Sequence, residues 1–133
     1  MMKAEELMVG DLVTLVEDYG KELSNPLEID ARSIVRVYEG MYKVEPIELT
    51  EEILEKNGFK KETHYDLGFS EQWYSPDRRI VCEADEIYLN SDNKWYVHID
   101  NESFESIGSC ELTYVHELQH LFNLVKYKIE IEL

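Results

Sequence analysis

The apolar residues of this 133-residue chain arrive in short runs, each closed by a turn former, and nothing else constrains its fold as strongly. "DLVTLVED" (11–18) carries Leu12, Val13, Leu15 and Val16, with Gly10 before it and Gly20 after it. "LEIDARSIVRVYEG" (27–40) sets Leu27, Ile29 and Ala31 in period two, followed by Ile34, Val35 and Val37. "YKVEPIEL" (42–49) adds one more short strand, which Pro46 confines to an edge or an end. Short strands with frequent turns predict a small, strongly bent, SH3-like assembly in the first part of the chain.

A helix follows. Thr50 is a suitable N-cap, Glu51 and Glu52 suit the positive end of the dipole, and Leu49 and Leu54 have the spacing of a hydrophobic staple. Gly58 stops the helix and Phe59 packs back over its last turn. From residue 64 the pattern is β-like again: "HYDLGFSEQWYS", a turn at "SPDR", then "RIVCEADEIYLN" and "KWYVHID" joined through "NSDN" as a hairpin. "ESFESIG" reads as a last strand or a loop. A final helix is expected from about Cys110 to Lys126, capped by Ser109, with Lys126 and Lys128 at its negative end. The tail "IEIEL" alternates as an edge strand or frays. The expectation is an α+β protein. Residues 1–60 form an SH3-like lobe with a short closing helix; residues 61–133 form an antiparallel sheet covered by a C-terminal helix, and the two lobes can share one compact domain.

Charge narrows the function. The chain carries 29 acidic and 13 basic residues, a net charge of −16, with acids spread along its length. Direct binding to nucleic acid or to an anionic membrane needs a basic footprint that is missing. A basic partner protein, a cation, or imitation of DNA charge all fit. No apolar run approaches the roughly 18 residues of a membrane span, and "MMKAEELMVGDL" carries acids where a signal peptide is basic and apolar; a cytoplasmic location is expected. Cys82 and Cys110 lie far apart with no C-x-x-C spacing, which predicts two free thiols in a reducing compartment.

One motif bears on chemistry. "TYVHELQHLF" (113–122) contains His-Glu-Leu-Gln-His, the H-E-x-x-H pattern of zinc peptidases. In that chemistry His116 and His120, one turn apart, would hold zinc at about 2.0–2.1 Å, and Glu117 would activate the metal-bound water as general base. The uncharged flanks comply. The third ligand does not follow: where the long motif wants Gly and His, the chain has Asn123 and Lys126, and after them only Glu130 and Glu132 in a β-like tail. His64 or His98 would have to serve from upstream. At about 100° per residue, Tyr114, Val115, Leu118, Leu121, Phe122 and Val125 form one apolar arc, so both imidazoles are expected to point outward, away from the core.

"LTYVHELQHLFNLV" resembles the ending of a large group of small uncharacterised proteins of Bacteroidetes genomes, often from prophage or mobile-element regions. These end in Tyr-Val-His-x-Leu-Gln-Asn-Leu, matched here by Tyr114, Val115, His116, Leu118, Gln119 and Leu121, with Phe122 as the following aromatic. A middle pattern is matched by Pro46, Ile47, Leu49, Thr50, Glu51, Glu52, Leu54, Gly58 and Phe59, and an opening by Leu7, Gly10 and Val13. Residues 60–108 are unmatched. The group typically has asparagine at the position of His120, so its framework stands without a second histidine. The resemblance implies a lineage and a phage-related setting, with no activity attached.

The reading that follows is an acidic accessory protein acting through protein–protein contact, with no catalytic residue, metal or cofactor assigned. The aromatic cluster Tyr65, Phe69, Trp73 and Tyr74 is a candidate contact surface. Its rivals are a zinc peptidase with His116 and His120 as ligands and Glu117 as base, and a DNA-charge mimic.

Overall fold

A computed structural model of the chain describes residues 1–18, 26–64, 70–84, 94–100, 106–125 and 130–133. In chain order the elements are β1 (Leu12–Asp18), β2 (Leu27–Glu28), α1 (Ala31–Tyr38), β3 (Tyr42–Pro46), α2 (Glu51–Lys56), β4 (Lys60–His64), β5 (Ser70–Tyr74), β6 (Ile80–Ala84), β7 (Trp95–Asp100), β8 (Ser106–Leu112) and α3 (Val115–Leu124). The protein is α+β, with antiparallel pairing throughout the named strands. Among the described residues no helix is long and apolar enough to cross a membrane. Gly20, Tyr65, Phe69, the "NSDN" connection and Lys126 and Lys128 lie outside the described residues.

Two compact units divide the chain at residues 48/49 and 113/114. The first comprises residues 1–48 and 114–130; the second comprises residues 49–113 and 131–133. The division therefore differs from one near residue 60: α2 belongs to the second unit and α3 to the first.

In the first unit β1 is the central strand of three, in the order β2-β1-β3. Leu15 faces Val44 and Val13 faces Pro46, and the register slips between Leu15 and Glu17, a bulge that leaves Val16 exposed. Met2, Leu7, Val13, Leu15, Ile29, Tyr42 and Val44 form the core, with Leu27, Ile34 and Val37 packed against it. The expected strand over residues 31–38 is instead α1. The decisive local feature is Asp30, whose carboxylate accepts the Ser33 N–H at 2.7 Å and the Ser33 hydroxyl at 2.9 Å. These bonds hold the Asp30 carboxyl below its ordinary pKa. Once the helix has started, Ile34 and Val37 fall three apart on one face, and Gly40, at φ +78°, ends it.

In the second unit α2 forms as its caps predict. Thr50 accepts the Ile53 N–H, and Leu49 and Leu54 are both buried. Gly58, at φ +86°, lets the Phe59 N–H reach the Leu54 carbonyl at 3.0 Å and the Gly58 N–H reach that of Glu55 at 3.1 Å, a Schellman ending. The other element is a five-stranded antiparallel meander, β4-β5-β6-β7-β8. One row across it runs Lys61, Trp73, Cys82, Val97, Cys110. Trp73, Cys82 and Val97 are wholly buried there, and Trp73 meets Trp95 edge-on at 5.3 Å. Both cysteines are free thiols. They sit two strands apart, about 10 Å, beyond the reach of a disulfide. Burial pushes the Cys82 thiol pKa up. "SPDR" is the turn expected, closed by Arg78 N–H to Ser75 O at 2.8 Å. Among the described residues 130–133 the tail forms no strand: Asn57 donates to the Glu132 carbonyl and accepts the Glu132 N–H, both at 2.7 Å, and Ile131 is buried.

Candidate functional site

The His-Glu-x-x-His helix begins later than its sequence suggests. Cys110, Glu111 and Leu112 belong to β8, and Tyr114, not Ser109, is the N-cap of α3. Leu112 is buried in strand register opposite Trp95, which holds these residues in the sheet. The helix is placed by its start: Tyr114 bridges Glu48, and the Val115 N–H donates to the Ile47 carbonyl at 2.8 Å. Glu117 turns back on its own helix and accepts the Tyr114 N–H at 3.0 Å. The carboxylate that a peptidase would use as general base thus satisfies an otherwise orphaned N-terminal N–H.

The next turn holds the start of β1. Gly10, at φ +96°, turns the chain so that Asp11 is buried. Gln119 spans this residue with both ends of its amide: Oε1 accepts the Leu12 N–H at 2.9 Å, and Nε2 donates to the Gly10 carbonyl at 2.9 Å. The side chain behaves as one more strand partner for the peptide groups on either side of Asp11. Asp11 itself accepts the Met8 N–H at 2.8 Å and sits against His120, whose Nε2 lies 2.8 and 2.9 Å from the two carboxylate oxygens. An ionised carboxylate can only accept, so Nε2 carries the proton in this pair.

His116 completes the cluster. Its ring stacks on Tyr114 at 5.8 Å and meets the His120 ring edge-on at 5.5 Å. It is only 9% exposed, and its Nδ1 is buried without a hydrogen-bond partner among the described residues. Burial lowers its pKa; Asp11, Glu117 and Glu6 oppose that shift, and His120 adds to it.

The outward orientation expected for the two imidazoles is therefore corrected. Leu118 and Phe122 are buried as expected, but His116 is buried too, and His120 is 29% exposed and engaged. A helical wheel identifies the apolar arc and assumes that the opposite arc meets water. Here that arc meets a turn which supplies a carboxylate, an N–H and a carbonyl. Among the described residues no three or more His, Cys, Asp or Glu side chains are grouped to hold a metal ion. His98, one upstream candidate for a third ligand, lies on β7 beside Ser109 with its side chain exposed.

One residue central to this arrangement, Asp11, has no role assigned from the sequence, whereas Gln119 is expected to hydrogen-bond a neighbouring strand or loop and does so. The available clue was the pair of end patterns: Leu7, Gly10 and Val13 at one end and Gln119 at the other meet here, 109 residues apart between Gly10 and Gln119. Compared with protein-family models, with curated proteins and with solved structures, the chain matches none.

Proposed function

We propose that the chain is an accessory module that acts by protein–protein contact, and that it takes a basic partner on the outer face of the five-stranded sheet. The observation that carries this reading is a cross-strand row, Glu62, Gln72, Glu83, Tyr96, Glu111. Three carboxylates fall on alternate strands, about 10 Å apart, with an amide and a phenol between them. Tyr74 widens the polar, aromatic surface through its hydroxyl, which donates to Gln72 at 2.6 Å. Arg78 lies over the Tyr74 ring and binds Glu62 at one end of the row, so a cation already occupies this face in the manner a basic partner would. The net charge of −16 favours encounter with such a partner. A prophage or mobile-element setting and a cytoplasmic location are part of the same proposal.

The alternative, zinc-dependent hydrolysis, is weakened by how the motif is engaged. Glu117 caps α3, Gln119 holds β1, and His120 keeps its Nε2 proton for Asp11. The unpartnered Nδ1 of His116 is the observation in its favour.

A pull-down from the native host compares wild type with Glu83→Lys/Glu111→Lys. A specific basic protein retained by wild type and lost in the variant is the expected result. Equal recovery by both, or none by either, defeats the proposal. Zinc near one equivalent in untagged protein, lost in His120→Ala, would replace it with the hydrolase reading; displacement of DNA from a DNA-binding enzyme would replace it with charge mimicry.

A further inference from the structure

Helix α1 needs few of its side chains for the core. Ser33 is buried and Ile34 and Val37 pack against the first unit's core, yet Val35 is 52% exposed, Tyr38 83% and Met41, just beyond the helix, 42%. An exposed valine is favoured neither by helix propensity nor by burial. Val35 and Met41, with Ala31, Arg32, Arg36 and Glu39, line an open groove of about 680 Å³.

The charge of this groove is opposite to that of the chain. Two arginines and one glutamate give it +1, while the whole sequence carries −16. Arg32 and Arg36 are one turn apart, so their side chains leave the same helix face. Arg36 is held in place: its guanidinium lies over the Tyr42 ring at 5.3 Å and hydrogen-bonds the Tyr42 hydroxyl. A guanidinium has five N–H donors, so one bond to Tyr42 leaves donors for a second group. The Arg32 side chain is exposed, and its charge acts on the nearby Asp30 carboxylate.

We propose that the groove docks an acidic amphipathic helix of a partner protein. One apolar side chain seats over Val35 and Met41, and two carboxylates a turn apart meet Arg32 and Arg36. The spacing of the arginines selects a helical ligand, because carboxylates at i and i+4 present the same interval. Their sign selects an acidic one. A nucleic acid offers the same sign, but its dense backbone charge would be repelled by the rest of this acidic molecule. The contact is small, which places it among weak, reversible interactions. This site lies in the first unit and does not rest on the sheet-face proposal.

The test titrates the ¹⁵N-labelled 133-residue chain with a capped helical peptide of about three turns. The peptide carries one leucine flanked by glutamates at i and i+4; a control peptide has glutamine in their place. Saturable shifts confined to α1 and Met41 are expected, about tenfold weaker for the glutamine peptide and for Arg32→Glu. Both Arg32 and Val35 are exposed, so Arg32→Glu and Val35→Asp should keep the native spectrum while weakening binding. Glu39→Lys should tighten binding several-fold, a gain that misfolding could not produce. Absence of saturable shifts, shifts centred elsewhere, unchanged affinity in Arg32→Glu, or equal binding of a DNA oligonucleotide at α1 would each overturn the proposal.

Discussion

His116 is the residue whose environment has the plainest consequence in solution. It is buried beside a second imidazole, and its neutral form is the one the fold accommodates. Its folded pKa lies below the 6.5 of a free histidine. The unfolded chain therefore binds more protons over that interval, and the contribution of His116 is complete above pH 6.5 and lost as pH falls below it. The charged or titratable groups facing it are Asp11, Glu117, His120 and Glu6, with the Tyr114 ring stacked on it. A urea midpoint measured from about pH 7 to about pH 5 should fall, and should fall less in His116→Gln. An imidazole resonance of His116 titrating above 6.5 would contradict this account.

At the scale of elements, the attachment of α3 to β1 depends on Gln119. Replacing it with alanine leaves the Leu12 N–H and the Gly10 carbonyl without their partner at a part-buried position. The expected loss is about 2–3 kcal/mol, since each orphaned buried group costs on the order of 1–3 kcal/mol and partial water access lessens the sum. Chemical denaturation of Gln119→Ala measures it, with Gln119→Glu as a second variant that keeps the acceptor and loses the donor. The elements themselves were unequally legible. Helix α2 was readable because Thr50, Leu49, Leu54, Gly58 and Phe59 act within a few residues of one another. Helix α1 was not, because β-branched Ile34, Val35 and Val37 read as strand while the cap at Asp30 carried the decision. The sequence pattern of the last helix starts five residues too early because Cys110 and Leu112 are apolar enough to continue it, and only pairing with β7 assigns them to a strand. The clasp at Asp11 was invisible for a related reason: a buried polar contact between distant residues has no period.

For the whole molecule, the two ends of residues 49–113 lie together. The Leu49 N–H donates to the Thr113 carbonyl at 2.9 Å, and in the other unit Glu48 bridges Tyr114. Residues 49–113 should therefore be removable. A chain in which a short Gly/Ser linker joins Glu48 to Tyr114 is expected to retain the β1–β3 sheet with α3 docked on it, at reduced stability. Dispersed amide resonances for Gly10–Val13 and His116–His120 would verify this; a collapsed spectrum would show that the first unit needs the inserted segment to fold.

The same nesting sets an order of events during synthesis. Gly10, Asp11 and Leu12 leave the ribosome more than a hundred residues before Gln119 and His120, which hold them. At about 5–20 residues per second the early segment waits several seconds with its polar groups met only by water. The meander between them has its own strands complete within that interval, so the contact that closes β1 forms after the strands encoded between its two halves.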